Sequence, residues 1–224
     1  GPPILNVSTP DGLAEESQQA TFNLINKLNK TQLEKYQDPE IQTRIASFEM
    51  AAKLQVSAPE LMDLSQESQE TLDLYGCKPE QASFARACLL ARRMVQRGVR
   101  YINIFHSGWD AHSNVLENHT KYCRRTDLPI AGLLTDLKAR GLLRDTLVIW
   151  GGEFGRMPMS EQGTGRDHNP WGYSVWLAGA GVRGGMAHGA TDPVGLRAEQ
   201  NKVHVHDLHA TILHALGIDH EKLT

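Results

Sequence analysis

The sequence predicts an α/β fold preceded by a helical region, and three observations carry that prediction. Apolar residues at helical spacing dominate the first part of the chain. Further on, short apolar runs rich in β-branched and aromatic residues alternate with amphipathic stretches, the pattern of buried strands between helices. Polar clusters of Asp, His, Glu, Arg and Gly stand at the ends of those runs. Ligands of open α/β sheets bind in the crevice beyond the strand ends, so this placement predicts a site along with the fold. The predicted division is residues 1–98 for the helical region, a cap or insertion of the same domain, and residues 99–224 for the α/β core.

The elements follow in order. Leu24, Ile25, Leu28 and Leu33 mark an amphipathic helix that closes near Asp38-Pro39. Ile41, Ile45, Phe48, Ala52 and Leu54 mark a second. Ser57-Ala58-Pro59-Glu60 reads as a new helix start, with proline near the first turn. A longer helix is expected from about Glu80 to Arg97, stopped by Gly98. Val99 to His106 (VRYINIFH) reads as a buried strand. The helix that follows carries Leu128, Ile130, Leu133, Leu134 and Leu137 and stops at Arg140-Gly141. Thr146 to Gly151 and Ser174 to Ala178 read as two more strands, and Gly179 to Gly185 as a glycine-rich turn. Asp207 is the expected N-cap of a last helix, which buries Leu208, Ile212, Leu213 and Leu216 and ends at Gly217.

Composition narrows the function classes. The 224 residues are enough for one sizeable core, and a formal net charge of -3 offers nucleic acid no long-range attraction. No apolar run approaches the ~20 residues that span a bilayer. Cys77, Cys88 and Cys123 lie far apart with no CxxC pair, which argues against a thiolate zinc site. The ten histidines are the compositional anomaly, and all of them fall from His106 onward. Neutral imidazole is a common metal ligand, so this clustering points at chemistry.

Three clusters carry that chemistry. Gly108-Trp109-Asp110-Ala111-His112 places Asp and His two apart after the first strand. Gly151-Gly152-Glu153-Phe154-Gly155-Arg156 embeds a carboxylate among glycines after the second. Gly165-Arg166-Asp167-His168-Asn169-Pro170 precedes the third. Taken singly, Asp110 and His112 read as a turn cap beside a surface imidazole, and Glu153 as an ion-pair partner for Arg156 or Arg166. Taken together, two imidazoles and up to three carboxylates form a nitrogen and oxygen ligand set suited to zinc, manganese, magnesium or calcium. His204, His206, His209 and His214 lack the spacing of an HExxH site and read mostly as helix-start and packing residues. His206 is kept as a ligand or supporting residue. No GxSxG elbow, no GxGxxG after a strand and no Walker loop is present.

The segment from Thr146 to Gly155 (TLVIWGGEFG) resembles the strand that leads into a metal motif in sulfatases and phosphodiesterases. Asp207 to Leu213, running on to Gly217, resembles a late helix of the same superfamily. GWDAH, WGGEFGR, GRDHNPWGYSVWLAGAGVRGG and HGATD resemble the domain of unknown function 1501 family, grouped with the alkaline phosphatase-like proteins. That resemblance implies an alkaline phosphatase-like three-layer fold, a mostly parallel sheet with helices on both faces, of which this chain is a C-terminal part. It implies Asp110, His112 and His168 as ligands of a first metal and Glu153 as the carboxylate of a second. Asp167 would then orient His168, and Arg156 or Arg166 would bind an anionic group. It also implies export, with no signal visible in this chain, and a nucleophile upstream of Gly1. Two features depart from the superfamily: Phe154 stands where a His is expected, and the first motif is DxH instead of DxxxH. The resemblance implies a metal-dependent hydrolase of phosphate or sulfate esters, acting on a small anionic ester or a sulfated or phosphorylated glycan. The alternative is a non-catalytic exported binding or scaffold protein that keeps one metal.

Overall fold

The computed structural model describes residue 12, residues 14–160 and residues 163–223. The start of the predicted helical region, residues 1–11 and 13, lies outside the described residues, as do the side chains of Leu54 and Ser57. The chain forms two compact units, Gly1–Glu67 and Ser68–Thr224.

The first unit is a pair of helices, α1 (Glu15–Tyr36) and α2 (Pro39–Met62), that pack on each other. The reversal between them is built from local chemistry. Gln37 takes a left-handed conformation at φ 51° and closes α1 by donating its N–H to Leu33 O. Asp38 then caps α2, its carboxylate accepting from Glu40 N at 2.9 Å, with Pro39 pre-set for the first turn. The break expected at Ser57-Ala58-Pro59-Glu60 does not occur, because α2 runs through Pro59 and ends only at Met62. A proline inside a helix removes one hydrogen bond, and here the helix closes within a turn of it, Asp63 N donating to Pro59 O at 3.0 Å.

The second unit opens with α3 (Gln69–Tyr75), α4 (Phe84–Gln96) and α5 (Val115–Ala139), which pack on one another. Leu72, Tyr75, Cys88, Leu89, Leu133 and Leu137 are buried among them. Ser68 and Ser83 cap α3 and α4 as their hydroxyls accept from Thr71 N and Arg86 N. Helices on either side of residue 98 therefore share one core. Within it, Asp136 of α5 sits 2.9 Å from Arg92 Nε of α4, accepts from Arg140 Nε at 2.6 Å, and accepts from the Tyr75 hydroxyl of α3 at 3.0 Å. Burial, then the Asp136 carboxylate, push the Tyr75 phenol far above its ordinary value.

The remainder overturns the predicted parallel sheet. Among the described residues the strands are two or three residues long: β1 (Val148–Trp150), β2 (Gly155–Arg156), β3 (His168–Asn169), β4 (Trp176–Ala178), β5 (Ala190–Thr191) and β6 (Ala198–Gln200). They pair as three separate two-stranded antiparallel sheets, β1 with β4, β2 with β3 and β5 with β6. Parallel pairing needs a crossover of a dozen or more residues, normally a helix. Described residues between Trp150 and Trp176 form no helix, so the chain returns on itself and the β2–β3 pair nests inside the β1–β4 pair. The three-layer alkaline phosphatase-like fold is therefore not the arrangement of this chain.

The strand expected at Val99 to His106 is also absent. Residues 101–106 alternate exposed and half-buried as a strand would, but no backbone hydrogen bond joins them to a partner among the described residues. Period-two alternation reports which side faces inward; it does not supply a neighbouring strand. The last helix, α6 (Val205–Ala215), is capped by His204 and not by Asp207. Asp207 stands at the third position, where its carboxylate accepts from His204 N at 2.8 Å, the reciprocal half of a capping box. No helix of the described residues is long and apolar enough to cross a membrane.

Candidate metal centre

Three stretches of chain, 110–115, 155–157 and 164–169, are laced together by backbone hydrogen bonds. Arg166 N donates to Ala111 O at 2.9 Å, Val115 N to Thr164 O at 3.0 Å, and Met157 N to Asp167 O at 2.9 Å. The β2–β3 pairing sets Arg156 opposite His168 and Gly155 opposite Asn169. Gly165 permits the closest approach, since a Cβ there would collide with the His112 carbonyl. Asn169 is wholly buried and anchors the far side, its amide donating to Leu196 O at 2.8 Å and its carbonyl accepting from Trp171 N at 3.1 Å.

Local chain geometry explains the Asp-x-His spacing. Ala111 is buried against the 164–169 stretch, so Asp110 and His112 on either side of it stay exposed. His168 joins them from β3. Asp110 Oδ1 lies 2.9 Å from His168 Nε2 and 3.0 Å from His112 Nε2, and the two imidazole nitrogens are 3.2 Å apart. Arg156 Nη1 donates to the same carboxylate oxygen at 2.7 Å. Hydrogen bonds from His168 first and Arg156 second hold the Asp110 carboxyl at about 2, well below the usual carboxylate range. Asp110 is therefore an anion at neutral pH. The side chains are about half exposed, 60% for Asp110, 44% for His112 and 46% for His168, so the cluster is open to solvent.

The donor set fits a divalent cation on two grounds. Tetrahedral zinc, with bonds of about 2.0–2.1 Å, puts neighbouring ligand atoms roughly 3.3 Å apart. The three separations here are close to that spacing. The second ground is a proton count. His112 faces a carboxylate at each ring nitrogen, Asp167 Oδ1 at 3.1 Å from Nδ1 and Asp110 Oδ1 at 3.0 Å from Nε2. A neutral imidazole has one N–H. Donated to Asp167, it leaves the Nε2 lone pair facing Asp110, where a second proton or a bound cation satisfies both. A carboxylate on the outer nitrogen of a ligating histidine is a recurrent support in metal sites.

Of the residues named from the sequence, Asp110, His112 and His168 form the one such group of potential ligands among the described residues. Arg156 and Asp167 border it. Asp167 reaches His112, where the resemblance implies His168 as the residue it orients. Glu153 is exposed and stands outside the cluster. Arg166 lies alongside, its Nη1 donating to Gly165 O at 2.7 Å. His206 is on α6, its backbone N donating to His204 Nδ1 at 3.2 Å and its ring edge-on to that of His204, and it is not part of the cluster. The role of Phe154 was not legible from the sequence. Its ring lies 4.2 Å from the His168 ring at 36°, and Arg156 Cζ sits 5.7 Å from it. Phe154 and His168 are fourteen residues apart, and the β2–β3 pairing brings their rings into contact.

No match is found among the curated proteins or the solved structures. A family model described as protein of unknown function (DUF1501) matches residues 1–224. The motifs GWDAH, WGGEFGR and GRDHNPWG that build this centre lie within that span, and the chain belongs to the DUF1501 family.

Proposed function

We propose that Asp110, His112 and His168 hold one divalent cation and that the protein is a metal-dependent hydrolase of phosphate or sulfate esters, with chemistry of the alkaline phosphatase and sulfatase kind. The observation that carries this reading is the convergence of one carboxylate oxygen and two imidazole nitrogens within 3.2 Å, with Asp167 behind His112. Two imidazoles favour zinc over calcium or magnesium, which take oxygen ligands. A cation bound there would lower the pKa of a nucleophile and stabilise charge on the ester oxygens. The chain's own residues hold the donors in place: Asp110 stays ionised, Asp167 directs the His112 Nε2 inward, and Phe154 packs at a tilt against the His168 ring. Exposure of the cluster leaves room for a small anionic ester or a sulfated or phosphorylated glycan. Export, which the sequence resemblance implies, belongs to this reading as well.

The test is elemental analysis of purified protein beside His168→Ala, followed by assay with 4-nitrophenyl phosphate and 4-nitrophenyl sulfate. Near-stoichiometric zinc or manganese that falls at least about tenfold in the variant is expected, with metal-dependent release of nitrophenol. Absence of metal from the wild type after supplementation overturns the reading. A second reading, a non-catalytic cation-binding protein, is favoured by Phe154 standing where the superfamily places a ligand of a second metal. Stoichiometric metal with no turnover of either ester selects it.

A further inference from the structure

We infer that Arg156 is the anion-binding residue of this centre, so that one cation and one guanidinium together receive a tetrahedral oxyanion, phosphate or sulfate. This inference rests on the proposed cation site and adds the group that recognises the substrate.

Arg156 is positioned as such a group must be. The β2–β3 pairing places it opposite His168, and its Nη1 is fixed by two acceptors, Asp110 Oδ1 at 2.7 Å and Arg166 O at 3.3 Å. The Phe154 ring supports the guanidinium carbon at 5.7 Å. Held by one nitrogen, the guanidinium keeps its Nε and Nη2 without a hydrogen-bond partner among the described residues. Those two N–H groups form one edge of the planar fork, the edge that matches two oxygens of a phosphate or sulfate. About 24% of the side chain is exposed, enough for an anion to reach it.

Arg166 is less suited, because its Nη1 is tied to the neighbouring Gly165 carbonyl and the described contacts do not place it on Asp110. A second cation is disfavoured as the source of positive charge. Phe154 occupies the flank of His168 with a ring that offers no ligand atom, and Glu153 stands outside the cluster. The guanidinium supplies in its place the second positive group that a dianion needs. A divalent cation and Arg156 together outweigh Asp110 and Asp167 by about one charge, so the loaded site is net positive.

The experiment is calorimetric titration of inorganic phosphate, with inorganic sulfate in parallel, into the zinc-loaded full chain. Wild type, Arg156→Gln, Arg156→Lys and Arg166→Gln are compared, with zinc content and circular dichroism measured on each. Arg156→Gln is expected to keep its zinc and lose at least about tenfold in anion affinity, the scale of a lost bidentate charged pair. Arg156→Lys, which keeps the charge without the planar fork, should fall between, and Arg166→Gln should match the wild type. Failure of the zinc-loaded wild type to bind either anion overturns the inference, as does equal anion affinity in Arg156→Gln. Loss of zinc along with phosphate in a folded Arg156→Gln also overturns it, since Arg156 would then only brace Asp110. Absence of zinc from the wild type overturns the cation reading itself, and this inference falls with it.

Discussion

Asp110 gathers three positively polarised or ring-nitrogen partners on a single oxygen: Arg156 at 2.7 Å, His168 at 2.9 Å and His112 at 3.0 Å. Each hydrogen bond is stronger to the carboxylate than to the acid, so the ionised form is favoured. A carboxyl whose folded-state pKa is depressed contributes stability above its unfolded value, and that contribution is lost as pH falls through the folded value. For Asp110 the window runs from the ordinary carboxylate range down to about 2. In metal-free protein, carbon NMR of the Asp110 carboxyl should show a midpoint near 2. In His168→Ala the midpoint should move up toward the ordinary ~3.9. An unchanged midpoint in that variant would mean that His168 does not donate to Asp110.

Among elements, the packing of α3, α4 and α5 depends on one buried carboxylate. Asp136 is 6% exposed and serves Tyr75 of α3, Arg92 of α4 and Arg140, the residue that closes α5. Removing the carboxylate takes the opposing charge from the buried Arg92 guanidinium and the acceptor from the buried Tyr75 hydroxyl, at a cost of about 3–5 kcal/mol. Asp136→Ala is expected to lose stability of that order in urea unfolding, and a loss under about 1 kcal/mol would show that water replaces the carboxylate freely. Close approach matters equally here. A Cβ on Gly132 of α5 would stand 2.5 Å from the Leu74 carbonyl of α3, so the helices meet only because that residue is glycine. α5 begins at Val115, three residues beyond His112, so this packing also anchors the end of the 110–115 stretch that carries Asp110 and His112.

At the scale of the whole molecule, the distribution of thiols reports where the core lies. Cys77 and Cys88 are buried in the second unit, while Cys123 on α5 is exposed. Burial first, then the neighbouring Cys77, push the Cys88 thiol up to about 12, so it does not form the reactive thiolate in the folded protein. Ellman's reagent should therefore titrate one thiol rapidly in the native chain and all three of the sequence's cysteines in denaturant. Rapid reaction of two or three thiols in native buffer would show that the helical core opens readily. The chain forms two compact units, and in the second α3 and α4, which precede residue 98, share a core with α5 beyond it.

The sequence by itself determined what depends on neighbours in the chain. The amphipathic spacing of α1, the Asp38-Pro39 reversal, the stop of α5 near Arg140-Gly141 and the apolar runs of β1 and β4 all follow from local propensity and turn chemistry. Asp110, His112 and His168 were legible as ligand candidates because glycine-bounded polar clusters beside apolar runs are costly unless they serve a site. Tertiary structure decided the pairing. Antiparallel or parallel is a question of how the chain returns, and no residue in β1 or β4 encodes that the described residues between them form no helix. The same holds for the centre: Asp167 supports His112, Phe154 flanks His168 and Arg156 meets Asp110 only because β2 and β3 lie side by side and Gly165 lets the loops touch. Contacts between residues tens of positions apart are set by packing, which sequence spacing does not report.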